Sequence, residues 1–250
     1  MSFIALFLFT SLCAAGQRTP ERIVTLSPAL AQTVIDLGLE NKLVCSAGPL
    51  DAVRTKKKLG TIGLYHKPNL ELIIGCKPDF ILTTYAGTPE NIHKKLKELK
   101  YEIMFDKPEN LDSIKKLIIA LSKRFNINNT SILKEFDTVC VSKLKASGIM
   151  VIGFNPLIAI GKRSFVSSAL KCAGFENIMD GNYPKINIEY IIKQKPQKIL
   201  VAMVDPSGFK DYKTLKMIFG DKVVLVDPNS ILLPSTRIIN GIKEIKKILK

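Results

Sequence analysis

The chain has 250 residues, of which 46% are hydrophobic, and it carries 37 Lys and Arg against 22 Asp and Glu, for a net charge of +15. A chain of this length can bury one large core or two smaller ones. The lysines are spread along the sequence and no motif with interleaved aromatic residues occurs, so the charge favours solvated helix faces over a nucleic-acid partner. Tryptophan is absent, so a flat ligand would have to stack on Tyr or Phe.

The first residues have the pattern of an export signal. An apolar run over 3–12 is followed by small residues and then by polar Gln17, and it is too short to cross a bilayer. We therefore expect residues 1–17 to be a signal peptide and the mature protein to lie in the periplasm. Cys13 also allows a lipoprotein-type signal with an acylated cysteine, although Leu12 stands where such motifs carry a small residue.

Predicted strands and helices alternate through the first half of the chain. This alternation is typical of a mainly parallel sheet with helices on its faces. The predicted strands are 22–26, 43–46 and 102–105, the predicted helices are 27–38, 86–99 and 111–124, and a helix–strand unit ends at Thr84. The Gly-, Pro- and Lys-rich segment between Ser46 and His66 is predicted to be a loop, in which 60–63 forms a turn.

A single helix is predicted to connect two halves. After the polar break at 126–130, residues 131–145 have apolar positions at three- and four-residue steps and no strand beside them. The alternation then resumes, with strands predicted at 149–152, 199–204 and 223–226 and helices at 164–173, 188–193, 212–219 and 235–249. The predicted fold is α/β, with lobes at 18–127 and 148–250 joined by one long helix within 128–147.

One helix–strand unit occurs twice, at a spacing of 118 residues. Asn, Glu, Ile-Ile, Lys-Pro and Ile-Leu recur in register in the first repeat (69–82) and in the second repeat (187–200). In each copy the Asn can cap a helix, a Glu in the first turn suits the helix dipole, and Lys-Pro ends the helix before a buried strand. The duplication predicts two lobes of similar build.

The five cysteines lack the C-x-x-C spacing of a zinc or redox site. They lie on apolar segments, and small buried thiols are the expected state. A disulfide between Cys45 and Cys76 is the alternative in an oxidising compartment.

Motifs of catalysis are missing from the sequence. It has only two histidines, His66 and His93, and no G-x-S-x-G elbow, P-loop or G-x-G-x-x-G fingerprint. We therefore expect no enzyme; an exported basic α/β enzyme or a nucleic-acid-binding protein are the other classes considered.

Several segments together resemble the substrate-binding proteins of ABC importers for cobalamin, haem and ferric siderophores. The similar segments are 22–28, 68–71 with 77–79, 161–162 with 173–177, and 188–189 with 195–196. The resemblance covers nearly the whole chain after Arg18. It implies two α/β lobes on one stiff helix, modest closure around a ligand in the cleft, no covalent cofactor, and a monomer that serves a permease dimer at the inner membrane.

The resemblance also gives the duplicated glutamates a role. In such proteins one surface carboxylate on each lobe docks against arginines of the two permease subunits, and Glu71 and Glu189 fall on the matching positions. A carboxylate accepts a bidentate Arg fork, so two of them a lobe apart fix orientation. The alternative is that each glutamate only stabilises its helix N-terminus.

The expected ligand residues come from both lobes. By resemblance to cobalamin-binding relatives, Tyr65 and Tyr183 would sandwich a corrin ring. Tyr85 follows a predicted strand, and ligands lie beyond the carboxyl ends of parallel strands, so it should face the cleft too. Asn155 is a further candidate, in a loop after the first strand of the second lobe.

Three chelates remain open from sequence. Cobalamin-binding relatives carry an acid and a base in the loop at 227–233, where this chain has Asn229 and Leu233. Haem-binding relatives ligate iron through a Tyr or His on the loop that here holds Tyr65 and His66, and both are suitable ferric ligands. An anionic ferric siderophore would be bound by cations such as Arg163 and Arg237.

Overall fold

The computed structural model describes residues 18–85, 87–140 and 143–250. The predicted signal peptide, with Cys13, lies outside the described residues. In the described ranges, no helix has the length and apolar character needed to cross a bilayer.

The first sheet has six strands in the order β4-β3-β2-β1-β5-β6, and neighbouring strands are parallel except β3 and β4. The strands are β1 Ile23–Thr25, β2 Leu43–Gly48, β3 Gly60–Leu64, β4 Lys67–Pro68, β5 Phe80–Thr84 and β6 Ile103–Asp106. Its helices are α1 Pro28–Asp36, α2 Leu70–Gly75 and α3 Glu90–Glu98. The carboxyl ends of the parallel strands share one edge, which is where α/β folds bind ligands.

The second sheet has the order β11-β10-β7-β8, with β9 paired to β7. Its strands are β7 Ala146–Gly153, β8 Ile158–Ala159, β9 Phe175–Asn177, β10 Lys198–Val201 and β11 Val223–Leu225, and β8 is antiparallel to β7. Its helices are α6 Phe165–Ala173, α7 Ile188–Gln194, α8 Lys210–Phe219, α9 Pro228–Ile231 and α10 Ile238–Ile248. Two separate α/β units with mainly parallel sheets confirm the predicted fold class.

The connection between the sheets differs from the prediction. It consists of α4 Leu111–Phe125 and α5 Thr130–Val139, separated by a turn in which Asn126 is left-handed. The helix predicted to reach Lys145 is therefore wrong at its C-terminal end: Cys140 is extended, and the backbone N–H of Lys145 already donates to the carbonyl of Gly174. The need to pair with β9 overrides the helical periodicity of this segment.

The predicted loop before His66 contains strand β3. Residues 60–63, predicted to be a turn, belong to β3, which pairs with β2. Glycine in a strand often marks a close approach, and here a Cβ at Gly60 would lie 2.7 Å from Sγ of Cys45. The short elements β8, β9 and α9 were not predicted, because two to four residues give too little periodicity.

Alternation along the strands builds three cores. Successive residues on β1 face opposite ways: Ile23 packs in a core shared by both sheets, whereas Val24 packs on the outer face of the first sheet. On β10, Leu200 belongs to the shared core and Ile199 to the outer face of the second sheet. The shared core also contains apolar residues of α1, α4, α5, α6 and α10, so both sheets rest on one continuous helical layer.

Four cysteines form two disulfides. Cys45 of β2 bonds to Cys76 at the end of α2, and Cys140 after α5 bonds to Cys172 of α6. The expectation of free thiols is wrong for all four, and the alternative Cys45–Cys76 pairing is the one observed. The second pair was not predicted, because sequence spacing says nothing about which segments meet in space.

Candidate functional site

Helices α2 and α7 begin in the same way in both repeats. The side chain of Asn69 accepts a hydrogen bond from the Leu72 backbone N–H at 3.1 Å, and Asn187 accepts one from Tyr190 at 2.8 Å. Both predicted N-caps are confirmed. Glu71 and Glu189 follow in the first turns, and both are exposed.

Each glutamate is flanked by exposed apolar side chains at equivalent positions. Leu72 and Ile74 are 47% and 39% exposed in the first repeat, and their counterparts Tyr190 and Ile192 are 38% and 44% exposed. We call Glu71, Leu72 and Ile74 the first docking patch, and Glu189, Tyr190 and Ile192 the second. The same surface, a carboxylate with two apolar neighbours, is therefore presented once by each sheet.

Tyr65 and His66 lie in the turn between β3 and β4, and both are exposed. Their ring centroids are 5.2 Å apart, in an edge-on arrangement. The Tyr65 ring also packs against the β5–α3 loop: Gly87 has a φ of +94°, and a Cβ there would lie 3.0 Å from Cε2 of Tyr65. Since β1 and β2 lie between β3 and β5, this contact crosses the carboxyl edge of the sheet.

Tyr85 follows β5 at the same edge and is 61% exposed. Its ring stacks on Phe105 of β6, with centroids 4.6 Å apart, and meets the edge of His93 from α3 at 6.2 Å. One ring face is thus held by Phe105. Tyr85 and Tyr65 are brought to one edge through the loop that contains Gly87.

Asn155 lies at the carboxyl end of β7, in the turn that leads to β8. It has a φ of +69°, precedes the cis peptide of Pro156, and is exposed. It lines a cavity of about 430 Å³ with Phe154, Phe209 and Lys210. This places Asn155 at the edge of the second sheet that corresponds to the edge bearing Tyr65 and Tyr85.

Tyr183 lies beside the second sheet, and not at the carboxyl end of one of its strands. Backbone bonds join Gly161 N to Asn182 O and Ala159 N to Pro184 O, so Tyr183 stands opposite Ile160. Because Ile160 in turn bonds Met150 in the middle of β7, Tyr183 flanks the sheet instead of following a strand end. Burial of its hydroxyl raises the pKa of Tyr183, although its ring remains half-exposed.

Arg237 is buried between the two units, at the start of α10. Its Nη1 lies 3.4 Å from the carbonyl of Ala52, and the neighbouring Thr236 hydroxyl donates to Asp36 of α1. Burial, followed by repulsion from Arg54, lowers the pKa of Arg237. This arginine therefore bridges the units beneath a cavity of about 380 Å³, whereas Arg163 is exposed on another cavity near α6.

The predicted ligand residues are not gathered in a single described cavity. Tyr85, Asn155 and Arg237 line three different ones. Across the described ranges, no cluster of three or more His, Cys, Asp and Glu side chains is arranged to hold a metal ion.

Two groups near Tyr85 were not singled out from sequence. His93 is buried with its Nε2 3.0 Å from the Thr83 hydroxyl, and burial, then the charge of Lys97, lowers its pKa. Asp106 at the end of β6 is buried, which raises its pKa to about 6, although a hydrogen bond from the Lys107 backbone opposes the rise. An acid at the end of an apolar strand was the available signal for Asp106.

The chain resembles known proteins both in sequence and in fold. Over 194 residues the chain is 28% identical to a vitamin B12-binding protein of Vibrio vulnificus, which covers 73% of this chain and 71% of that protein. It superimposes on the periplasmic vitamin B12-binding protein BtuF of Vibrio cholerae with a TM-score of 0.78 at 22% identity, covering 92% and 97% of the two chains. The chain is therefore similar in sequence to vitamin B12-binding proteins, and it shares the fold of a periplasmic binding protein.

The fold of this family is shared by proteins with different ligands. The periplasmic haem-binding protein HutB of Vibrio cholerae matches with a TM-score of 0.77 at 12% identity, covering 91% of this chain and 98% of HutB. No protein-family model matches the chain. These relatives are binding proteins by name, and similarity to them alone leaves the ligand of this chain open.

Proposed function

We propose that this substrate-binding protein is exported, captures cobalamin or haem between its two α/β units, and delivers it to an ABC permease without catalysing a reaction. The observation that carries the proposal is the pair of docking patches, one on each unit. A receptor that must sit across two permease subunits needs the same contact twice.

The proposed ligand position is the space between the carboxyl edges of the two sheets. Tyr65, Tyr85 and Asn155 follow the ends of β3, β5 and β7, where parallel sheets bind ligands. An exposed tyrosine offers a flat face for a macrocycle and a polar tip. We also propose that Tyr183 contacts the ligand from the side of this space and that Arg237 contacts it from the bottom.

A corrinoid is the first candidate, because the relatives matched by sequence are vitamin B12-binding proteins. We expect purified protein titrated with cyanocobalamin to bind it, measured by calorimetry. Tyr65→Ala should weaken binding about three- to tenfold through loss of stacking, and Tyr65→Phe should not. Absence of any binding by cyanocobalamin and haemin would refute the ligand assignment.

Haem is the second candidate, because Tyr65 and His66 are exposed side by side. If either ligates iron, haemin should give a Soret band that Tyr65→Phe or His66→Ala alters, since phenolate and imidazole are iron ligands. Tyr85→Phe is the matched control, because it removes an exposed phenol from the same edge. If neither Tyr65→Phe nor His66→Ala alters the spectrum, iron ligation by this turn is excluded.

The docking role of Glu71 and Glu189 is a proposal of the same kind. Each carboxylate would accept an arginine fork while its two apolar neighbours become buried. We expect Glu71→Gln and Glu189→Gln each to weaken binding to the permease about thirtyfold, near 2 kcal/mol, with ligand affinity unchanged. Measurement is by pull-down or calorimetry with the permease in nanodiscs.

Asp112→Asn is the control for the docking test. Asp112 is also an exposed acid in the first turn of a helix, α4, and lies in neither docking patch. It should leave permease binding unchanged. If both Gln variants bind as well as the control, the glutamates only stabilise their helices.

Export, the lobe boundaries and limited closure complete the proposal. Mass spectrometry of the mature protein tests the cleavage: removal of residues 1–17 leaves Arg18 as the first residue, whereas a lipoprotein-type signal leaves an acylated Cys13 as the first residue. The lobes are proposed at 18–127 and 148–250 around a connection at 128–147. The continuous helical layer supports small lobe rotation, which scattering of free and ligand-bound protein would measure.

A further inference from the structure

A cavity of about 500 Å³ lies beside the first sheet, between Tyr85 and helix α3. Phe105 and His93 form its aromatic wall: their ring centroids are 5.0 Å apart, and Phe105 carries the stacked ring of Tyr85. The cavity thus adjoins Tyr85, which is proposed to contact the ligand, and extends from that tyrosine along α3. Nothing in the proposed function so far uses it.

Thr88 lines this cavity with an unpaired hydroxyl. The residue is only 6% exposed, and its Oγ1 has no hydrogen-bond partner among the described residues. A buried hydroxyl without a partner costs folding free energy. A hydroxyl kept in that state is available to a guest that supplies an oxygen acceptor.

The charges around the cavity favour an anion. Lys94 and Lys97 line it against a single acid, Glu90. In the described part of the chain neither lysine forms an ion pair, whereas Lys95 on the same helix pairs with Glu98 at 3.4 Å. Nζ of Lys97 instead lies 5.0 Å from the centre of the Phe105 ring.

We propose that this cavity binds an anionic oxygen group, a carboxylate or a phosphate, to which Thr88 donates a hydrogen bond and Lys94 and Lys97 supply charge. The group has two possible sources: an acidic substituent of the chelate whose macrocycle lies near Tyr85, or a free small anion. Only the first source rests on the proposed function. The aromatic wall excludes water from one side, which strengthens the hydrogen bond to the anion.

The first arm of the test uses inorganic phosphate and needs no chelate. Phosphate should shift the backbone amide signals of Thr88 and Lys94 in a two-dimensional ¹H–¹⁵N spectrum of the wild-type protein. The shifts should weaken in the double variant Lys94→Gln/Lys97→Gln. They should persist in Lys95→Gln, a matched loss of a lysine that does not line the cavity.

The second arm compares haemin with its dimethyl ester, which lacks the two carboxylates. If the chelate supplies the anion, the wild-type protein should prefer haemin about fivefold, as expected for two partly exposed charge contacts. The preference should disappear in Lys94→Gln/Lys97→Gln and remain in Lys95→Gln. If a free anion is the occupant, phosphate shifts the amides while both macrocycles bind alike.

Thr88→Val separates a binding hydroxyl from a structural one. Removing an unpaired buried hydroxyl should raise the Tm by about 2–4 °C and at the same time weaken the phosphate shifts or the haemin preference. A hydroxyl with a structural partner would lower the Tm instead, which contradicts the proposal.

The outcomes of the two arms are distinct. Failure of haemin, its ester and cyanocobalamin to bind would refute the proposed function, while the phosphate arm still reports on the cavity. Unshifted amides together with equal binding of haemin and its ester would overturn the anion site, whatever the chelate.

Discussion

The helices of the two repeats begin with the same local structure, but different contacts hold each repeat to its sheet. In both, the helix begins at a capping asparagine, buries one isoleucine completely (Ile73 and Ile191), and ends near a lysine with a positive φ, 48° at Lys77 and 49° at Lys195. These features keep the exposed glutamates in the same local geometry. The differences lie in what holds each unit in place.

The first repeat is held by a disulfide and by hydrogen bonds to a carboxylate. Cys76 at the end of α2 is bonded to Cys45 of β2, and the carboxylate of Asp79 accepts two backbone N–H bonds at 2.8 Å, from Glu21 and Arg22. The second repeat carries Gln194 in place of Cys76 and Gln197 in place of Asp79.

Gln197 accepts a backbone hydrogen bond as Asp79 does, but with a neutral amide group. Its Oε1 accepts a bond from the backbone N–H of Ser147 at 2.7 Å. Asp79 and Gln197 thus each secure the entry to the central strand of their sheet, β1 and β7. The comparison shows that one local geometry can be maintained by different chemistry in each lobe.

The neighbouring strands differ as well. β5 of the first repeat pairs with β6, whose last residue, Asp106, is a buried carboxyl. β10 of the second repeat pairs with β11, and the residue that follows β11, Val226, is buried and apolar. Only the first sheet therefore has a titratable group in this position.

The largest expected effect comes from the disulfide. The variant Cys45→Ala/Cys76→Ala should lose about 4 kcal/mol of unfolding free energy, because the bond closes a loop with a sequence separation of 31. Hydrogen exchange should then speed up in α2 and stay slow in α7. Urea denaturation and exchange of the Ile73 and Ile191 amides measure the two effects.

The other disulfide is a matched control. Cys140–Cys172 has a separation of 32, so Cys140→Ala/Cys172→Ala should cost a similar free energy without loosening either repeat helix. Equal protection of α2 in all three proteins would show that the covalent bond does not hold the first repeat.

The next effect is a pH dependence confined to the first sheet. Because burial raises the pKa of Asp106 to about 6 from 3.8, the folded chain keeps a proton that the unfolded chain releases between those values. The stability that Asp106 contributes is full below pH about 4 and is lost as the pH rises through 6, about 3 kcal/mol in total.

The variant Asp106→Asn should remove this slope. As the pH rises from 4 to 7, the unfolding free energy of the variant should increase relative to that of the wild type. Urea denaturation at each pH measures this difference. Val226→Ala is the control in the second sheet and should be destabilised equally at every pH. If the difference in unfolding free energy between the wild type and Asp106→Asn does not change with pH, the raised pKa is contradicted.

The smallest expected effect concerns the entry to the central strands. Asp79→Ala should cost about 2 kcal/mol, since it removes two hydrogen bonds to a charged acceptor, and Gln197→Ala about 1 kcal/mol. Chemical denaturation of the two variants and of the wild type provides the comparison. Equal costs would mean that charge adds nothing at this position.

The sequence by itself determined the α/β class, most helices and the duplicated unit. These follow from local rules: a capping Asn, apolar periodicity, and Lys-Pro as a stop signal act over a few residues. The exposed positions of Glu71 and Glu189 also follow, because a buried Ile two residues later fixes the face of each short helix.

Only the tertiary structure decided what depends on distant partners. The end of α5, the strand at 60–64, the Cys140–Cys172 bond and the burial of Arg237 all result from contacts between segments far apart in sequence. The same holds for the cavity beside α3, because Thr88 and Phe105 line it together only when β5 and β6 pair. Local patterns carry no information on such contacts, because packing, and not propensity, sets them.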